Sequence, residues 1–284
     1  MIVNQLIFYR LYFSLIGRIA PRSVMQKAFT LFHTPHPYKR SDIEDEWLEK
    51  AEHFTFTFEM YDIAGYRWGK EGNPKVLIVH GWTGVATSMY QLVDAFVEEG
   101  YQVISYDAIG HGQSSGELST LSQWADCLRA MNDFVGEVEC IVAHSLGGVT
   151  TFVVSKLGLK TKKIVLIAPF CNPIEIIDKW FGERLNIPSN VLKKLPEYFW
   201  DKQKVGLLKY GEDWSDIFDS TYKVPTLIIH DKEDKEVSEK NVASCCTRWP
   251  WAKFVETEGL GHRRILYDKS IAKKMVSFVH HHDK

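Results

Sequence analysis

Short apolar segments alternate with amphipathic segments from Val76 onwards. The apolar segments predict strands at residues 76–80, 103–106, 139–143, 163–167, 226–230 and 253–256. The segments with helical periodicity predict helices at residues 88–99, 121–135 and 239–247, after residue 145, and at the carboxyl end. This alternation predicts an α/β fold with a mainly parallel, doubly wound sheet that is covered by helices on both faces.

Two further strands are predicted before this alternation. Large apolar side chains stand at every second position from Phe54 to Met60, which places them on one face of a strand. Residues 62–65 have the composition of a turn, and residues 66–68 would return as a second strand. The sequence therefore predicts two strands joined by a short turn.

Residues 171–223 interrupt the alternation between two predicted core strands and are rich in aromatic side chains. Pro173 and Ser189 stand where helices could begin. A helical segment inserted here predicts a lid over the carboxyl edge of the sheet; the alternative is that its aromatic side chains form a small core of the lid itself. The predicted division of the chain is a helical extension at residues 1–52, an α/β core at residues 53–170 and 224–284, and a helical lid at residues 171–223.

Residues 1–41 contain no acidic side chain but six basic ones, the sharpest charge asymmetry in the chain. In the helix predicted here, the broad apolar face holds Ile2, Leu6, Tyr9, Phe13 and Ile16, and the narrow polar face holds Asn4, Arg10, Ser14 and Arg18. The two arginines interrupt the apolar run too early for a transmembrane span. Two interpretations are open: residues 1–32 lie in a membrane surface, or the helix packs its apolar face on the rest of the protein.

Charge and cysteine content limit the classes of function. The formal net charge of -2 gives no reason to expect a nucleic-acid partner. The five cysteines form no CxxC pair and have no metal-ligand spacing with histidine, so neither a zinc site nor a disulfide framework is expected. A reducing compartment, the cytoplasm, is the simplest location, and any membrane association would depend on the N-terminal helix.

One apolar run ends abruptly at a serine and continues in small residues, CIVAHSLGG at residues 140–148. Such a run is typical of a buried strand that turns sharply into a helix with Ser145 at the corner, where the neighbours Ala143 and Gly147 must be small. A hydroxyl held there is accessible to a carbonyl carbon, and the N-terminus of the next helix directs backbone N–H groups at developing negative charge. The segment resembles the G-x-S-x-G nucleophile elbow of the α/β-hydrolase superfamily, with Ala143 in place of the first glycine.

Further segments resemble motifs of the same superfamily, in the order expected for its fold. HGWTG at residues 80–84 is similar to the H-G-x-x-G oxyanion loop, DAIGHGQS at residues 107–114 to the D-x-x-G-H-G-x-S loop, and GLGH at residues 259–262 to the final G-x-G-H element. Residues 231–237 match the G-x-x-D-x-x-V pattern, with Asp231 in place of the glycine. The resemblance implies the α/β-hydrolase fold, in which the first two predicted strands are the antiparallel opening pair.

The resemblance also implies which side chains carry the chemistry. Ser145 would be the nucleophile, His262 the general base and Asp234 the acid that orients the imidazole. Asp231 is a rival for the acid position, because it lies nearer the end of its strand. Asp107 is expected to hydrogen-bond its own loop and to stay outside the triad.

The backbone N–H groups of Trp82 and Leu146 would be the two oxyanion donors. The pattern looks most like bacterial carboxylesterases and monoglyceride-type lipases, which implies cleavage of a small-molecule carboxylic ester through an acyl-enzyme, without a metal or an organic cofactor. The aromatic lid and the apolar first helix favour an apolar acyl chain. Thioesterases and acyltransferases use the same triad, and a ligand-binding protein without turnover is the alternative from a different class.

Overall fold

A computed structural model describes residues 3–219 and 222–280. Its strands form an eight-stranded sheet in the spatial order 1-2-4-3-5-6-7-8. The strands are β1 (Glu52–Phe58), β2 (Tyr61–Trp68), β3 (Lys75–Val79), β4 (Gln102–Tyr106), β5 (Val138–His144), β6 (Thr161–Ile167), β7 (Thr226–Asp231) and β8 (Lys253–Thr257). β2 is antiparallel to both β1 and β4, and the remaining neighbours are parallel.

The helices occupy the connections between these strands and both ends of the described chain. The α-helices are α1 (Val3–Ile19), α2 (Pro21–His33), α3 (Asp42–Glu49), α4 (Tyr90–Glu98), α5 (Leu121–Val135), α6 (Leu146–Ser155), α7 (Pro173–Ile177), α8 (Ser189–Leu192), α9 (Leu195–Leu207), α10 (Glu239–Arg248), α11 (Gly261–Arg264) and α12 (Lys269–His280). Short 3₁₀-helices lie at Ala86–Met89, Asp216–Phe218 and Ile265–Tyr267, and a π-helix lies at Asp178–Arg184.

Two apolar cores lie on opposite faces of the sheet. In β3, Leu77 and Val79 belong to one core, and Val76 and Ile78 belong to the other. α5, α6 and α10 cover the first core, and α4 and α12 cover the second. Burial on both faces explains why the central strands are continuously apolar. The predicted mainly parallel, doubly wound sheet is confirmed.

The turn between the first two strands comes earlier in the chain than predicted. It lies at Glu59, whose φ is 52°, and Met60, which is 84% exposed and not on the strand face assigned to it. The predicted turn, residues 62–65, lies inside β2. Gly65 is small for a different reason: a Cβ there would lie 2.2 Å from the ring of Phe54, its cross-strand partner.

In the N-terminal extension, two helices, α1 and α2, occupy the region where the sequence predicted one amphipathic helix. α1 ends at Ile19 because the residue before Pro21 disfavours helical backbone, and Pro21 then starts α2. Ile2, which was assigned to the apolar face of the first helix, lies outside the described residues. In the described part of the chain, no helix combines the length and the apolar character needed to cross a membrane.

A third apolar core joins the N-terminal helices to the insertion. Phe13 of α1 and Val24 of α2 are buried in it together with Phe181 and Phe199 of the insertion. The face of α1 that carries Phe13 therefore packs on the protein. Within the insertion, α7 and α8 begin at the two predicted positions, and residues 220–221 lie outside the described part.

Candidate active site

Ser145 stands at the corner between β5 and α6. Its φ of 50° is a left-handed backbone conformation that a residue with a side chain adopts only when the surrounding structure enforces it. Gly147 permits the corner, since a Cβ there would lie 2.5 Å from the carbonyl oxygen of His80. Ala143, which replaces the glycine of the related motif, is buried within β5. The predicted sharp turn from strand to helix is present.

Three side chains from different parts of the chain meet at this corner. His262 Nε2 lies 3.0 Å from Ser145 Oγ, and His262 Nδ1 lies 2.7 Å from Asp234 Oδ2. Because a carboxylate only accepts hydrogen bonds, Nδ1 carries the ring proton and Nε2 accepts from the serine hydroxyl. The structure thus brings the predicted nucleophile, base and acid into one hydrogen-bonded row.

The surroundings of Asp234 keep its carboxylate ionised. Oδ1 accepts hydrogen bonds from the backbone N–H groups of Glu236, at 2.7 Å, and Val237, at 2.9 Å, which leaves Oδ2 for His262. Burial alone would raise the pKa of Asp234, but the hydrogen bonds from His262 and the backbone hold it below its ordinary value. A negative charge is therefore available to orient the imidazole.

Asp231, the rival for the acid position, makes different contacts. Its Oδ1 accepts from the backbone N–H of Glu233 at 3.0 Å. Its Oδ2 accepts from Thr257 Oγ1 at 2.8 Å and from the backbone N–H of Leu260 at 3.0 Å. Asp231 therefore ties the turn after β7 to the loop that leads to α11.

The two predicted oxyanion donors border the same cleft as Ser145. Leu146 is the first residue of α6, so its backbone N–H has no acceptor within that helix. Trp82 lies in the loop after β3, where the N–H of Gly84 donates to the carbonyl of Gly81 at 3.0 Å and closes a tight turn. Both residues therefore line the cleft that contains Ser145.

Asp107 connects the loops behind the row. Oδ1 accepts from the backbone N–H of Ala86 at 2.8 Å, and Oδ2 accepts from the N–H of Gln113 and the hydroxyl of Tyr66, both at 2.9 Å. Burial raises the pKa of the Asp107 carboxyl above its ordinary value, although these hydrogen bonds and Arg40, 3.5 Å away, oppose the shift. As predicted, Asp107 hydrogen-bonds its own loop.

Two residues beside the row were not predicted from the sequence. His144 Nε2 donates to the backbone carbonyl of His262 at 3.0 Å, which connects the serine corner to the loop of the base. Glu236 Oε2 lies 3.9 Å from His262 Nε2. His144 gave no signal because its partner is 118 residues away, and Glu236 stands in a charge run that is typical of a solvated turn.

A cleft of about 1150 Å³, part of it open solvent, begins at Ser145 and His262. α2 and the insertion form much of its wall. Most lining side chains are apolar, among them Phe32, Val149, Phe170, Trp180, Phe199 and Trp214. The polar and charged ones outside the row are His33, His36, Ser119, Lys179, Arg184, Gln203 and Glu236. Within residues 3–219 and 222–280, no three His, Cys, Asp or Glu side chains are grouped as a metal site.

Comparisons with known proteins agree with this architecture. A family model described as serine aminopeptidase, S33 (Hydrolase_4), matches residues 71–210. A serine hydrolase-like protein of Dictyostelium discoideum is 28% identical over 113 residues, which cover 37% of this chain and 32% of that protein. The bifunctional esterase/perhydrolase DCH of Acinetobacter calcoaceticus is 28% identical over 98 residues, which cover 34% of this chain and 36% of that protein. The chain thus spans about a third of the length of these curated relatives.

Among solved structures, an esterase of Pyrococcus furiosus is similar, with a TM-score of 0.65 and 16% identity. The match covers 87% of this chain and 98% of that one. Such a likeness shows a shared fold. The chain therefore has the α/β-hydrolase fold and resembles carboxylesterases, and the serine hydrolase family model matches just under half of its length.

Proposed function

We propose that this chain hydrolyses carboxylic esters, with Ser145, His262 and Asp234 as its catalytic triad. The observation that carries the proposal is the hydrogen-bonded row, with 3.0 Å between Ser145 Oγ and His262 Nε2 and 2.7 Å between His262 Nδ1 and Asp234 Oδ2. Distances of this size allow proton transfer from the hydroxyl to the imidazole. The nearby backbone N–H groups of Trp82 and Leu146 are the proposed oxyanion donors.

The proposed reaction has two halves. Ser145 Oγ attacks the ester carbonyl carbon as His262 Nε2 takes its proton, and the carbonyl electron pair moves to an oxyanion near Trp82 and Leu146. When the oxyanion collapses, the carbon–oxygen bond to the leaving group breaks, and His262 gives the proton to the departing alcohol. Water then attacks the acyl-enzyme in the same way, which releases the acid and restores the serine hydroxyl.

The cleft supports an apolar acyl group as part of the substrate. Phe170, Val149 and Trp214 are among the apolar side chains that line the cleft beside Ser145. Apolar walls favour a hydrocarbon chain because its burial removes apolar surface from water. A long-chain or aromatic acyl group therefore fits this site better than a highly polar one.

A fluorophosphonate probe and a panel of nitrophenyl esters graded by acyl length test the proposal. Wild-type protein should react with the probe at Ser145 and cleave the esters, whereas Ser145→Ala should lose both properties and keep its fold. Ester cleavage by Ser145→Ala at the wild-type rate would contradict the triad. Thioester cleavage or acyl transfer to an added alcohol, each far faster than ester hydrolysis, would favour the thioesterase or acyltransferase alternative. A folded wild type that does neither and does not label would favour a ligand-binding protein.

The proposal extends to docking on an anionic membrane surface through α1. Five large apolar side chains of this helix are between 51% and 83% exposed: Ile7, Phe8, Leu11, Leu15 and Ile19. They follow helical spacing on a face different from the one that buries Phe13. A helix that is apolar on an exposed face and basic beside it is typical of an interfacial helix.

Charge favours an anionic lipid surface as the occupant of this face. Arg10 and Arg18 of α1 and Arg22 of α2 are exposed, and residues 1–41 contain no acidic side chain. Arginine can lay its stem along apolar surface and keep its charge among lipid headgroups. Because α1 packs on the insertion beside the cleft, docking would bring the cleft close to apolar substrates. The proposed location is the cytoplasm, whose reducing conditions suit the five free cysteines.

A further inference from the structure

Apart from Ser145 and His262, three polar side chains of the cleft lining are buried: His33, Ser119 and Gln203, here called the polar cluster. Each is at least 95% buried, and they come from α2, the loop before α5, and α9. Neither the triad nor the oxyanion donors use them. Any hydrogen-bonding capacity that their protein partners leave unused is available to a bound molecule.

Gln203 gives the clearest sign that something binds here. It is 5% exposed, and its Oε1 has no hydrogen-bond partner among the described residues. A buried amide oxygen without a partner costs free energy that a hydrogen-bond donor on a ligand can recover. Because Gln203 lines the cleft, that donor can arrive with the substrate.

His33 supplies a second acceptor. Its Nδ1 lies 2.8 Å from the backbone carbonyl of Phe29, and since a carbonyl only accepts, Nδ1 must carry the proton. Burial lowers the pKa of His33 to about 4, so the ring is neutral at pH 7. The other ring nitrogen, Nε2, is then an acceptor.

Ser119 supplies a donor in the same region. Its Oγ accepts from Trp124 Nε1 at 2.7 Å, so the hydroxyl proton can be donated elsewhere. Its backbone N–H donates to the carbonyl of His33 at 2.8 Å, which places the two residues side by side.

The packing of α9 holds Gln203 against the same region. Phe199, one turn earlier, has its ring centroid 5.4 Å from that of His33. Gly206, almost one turn later, is so close to the 119–122 segment that a Cβ would lie 2.8 Å from Ser122 Cβ. The face of α9 that carries Gln203 thus packs against His33 and against the 119–122 segment.

We propose that the polar cluster binds a hydroxyl group carried by the acyl part of the substrate, which makes hydroxylated acyl esters the preferred class. This inference rests on the proposed esterase function and names the substrate class for that site. A hydroxyl donates to one acceptor, Gln203 Oε1 or His33 Nε2, and accepts from Ser119 Oγ. A carboxylate would face two acceptors, and an ammonium group would find no negative charge within the cluster.

Matched pairs of nitrophenyl esters test this inference. In each pair the acyl chains have the same length, and one ends in a methyl group where the other ends in a hydroxyl. At the length that reaches the polar cluster, wild-type kcat/KM should be about tenfold higher for the hydroxylated ester, the effect of one or two net hydrogen bonds. Gln203→Met should bring that ratio close to one or reverse it, because methionine lacks the amide oxygen that accepts the hydrogen bond.

The control is Val205→Ala, because Val205 is 87% exposed on the same helix and should leave the ratio unchanged. Circular dichroism checks that each variant is folded, and Ser119→Ala replaces Gln203→Met if the latter does not fold. A wild-type ratio near one at every chain length, or an unchanged ratio in both cluster variants, would overturn the inference while Ser145-dependent ester cleavage stands. If wild-type protein cleaves neither ester and Ser145 is not labelled, the esterase function itself fails, and this inference fails with it.

Discussion

His80 Nε2 accepts a hydrogen bond from the backbone N–H of Ala108 at 3.0 Å, while His80 Nδ1 donates to the carbonyl of Gly81 at 2.7 Å. The neutral imidazole thereby joins the loop after β3 to the loop after β4, directly behind the serine corner. Burial lowers the pKa of His80 to about 4. Protonation would remove the acceptor for Ala108 and leave a buried positive charge.

Lowering the pH from 7 to about 4.5 is expected to destabilise the protein through His80. The ordinary pKa of histidine, 6.5, applies in the unfolded chain, whereas burial lowers the pKa of folded His80 to about 4. Between these values the unfolded state holds more protons, so the free energy of unfolding falls by about 1.4 kcal/mol per pH unit for this one group. Urea denaturation at a series of pH values measures the slope.

The matched variants for this prediction are His80→Gln and His53→Gln. Replacing buried His80 should reduce the slope of the free energy of unfolding against pH by up to about 1.4 kcal/mol per pH unit. The replacement also weakens the hydrogen bond to Ala108 at every pH. His53, which is exposed, is the control for exchanging a histidine for glutamine. Equal slopes for wild type and His80→Gln would show that folding does not lower the pKa of His80.

Two neighbouring aspartates are expected to respond oppositely to replacement by asparagine. Asp234→Asn should lower kcat by about 10⁴-fold with little loss of stability, because an amide cannot hold His262 in the productive tautomer. Asp231→Asn should keep most of the activity and lower the free energy of unfolding by about 1–3 kcal/mol, since its oxygens hold two loops. Steady-state kinetics and denaturation of both variants check this. The reverse result would assign Asp231 as the acid.

The serine corner is expected to tolerate a methyl group at Gly148 but not at Gly147. In Gly147→Ala the Cβ would lie 2.5 Å from the backbone oxygen of His80, so the corner must move, and we expect loss of Ser145 labelling and about 2–4 kcal/mol of destabilisation. In Gly148→Ala the nearest atom is Pro169 Cβ at 3.2 Å, a milder contact. Thermal melts and fluorophosphonate labelling compare the two; equal behaviour would contradict the geometry of the corner.

Membrane docking predicts binding to phosphatidylcholine vesicles that contain phosphatidylglycerol, and weaker binding to phosphatidylcholine alone. The double variant Leu11→Asn with Leu15→Asn should weaken binding at least about tenfold, because each exposed leucine loses a burial contribution of about 1.5 kcal/mol or more. Its kcat/KM for a water-soluble ester should stay unchanged. Co-sedimentation with vesicles measures the binding.

The control for docking is Val205→Asn with Leu208→Asn, exposed apolar positions on α9 and directly after it. This pair should bind vesicles like wild type. If wild type ignores vesicles and instead forms a concentration-dependent dimer that the α1 variant abolishes, a second copy covers the face and the membrane proposal is wrong.

Much of the fold could be predicted because its central strands are buried on both sides and therefore read as continuous apolar runs. The helix predicted at residues 121–135 matches α5, whose N-cap Thr120 accepts from Gln123. The turn of the first hairpin was predicted too late in the chain because Gly65 is typical of a turn. In the structure, Gly65 instead leaves space for the Phe54 ring. Local composition does not distinguish these two uses of glycine.

The candidate site also has a part that the sequence predicts and a part that only the structure shows. Ser145, Asp234 and His262 stand in motifs with recognisable spacing, so the sequence alone could nominate them, and the structure brings them together. Gln203 and His33 lie in amphipathic segments, where a polar residue usually faces solvent. Only the packing of α9 and α2 over the cleft shows that both are buried.

α2 and the insertion, which form much of the wall of the cleft, pack on each other and on α1 in one apolar core. The members of this core come from the N-terminal helices and from the insertion, which are far apart in the chain. The wall of the cleft is therefore connected to the sheet at two separate points of the chain. If the cleft opened far enough to admit a bulky substrate, α2 and the insertion would have to move together. A shortened chain that starts after residue 33 would lack part of this wall, and the substrate preference measured on it would belong to a differently shaped enzyme.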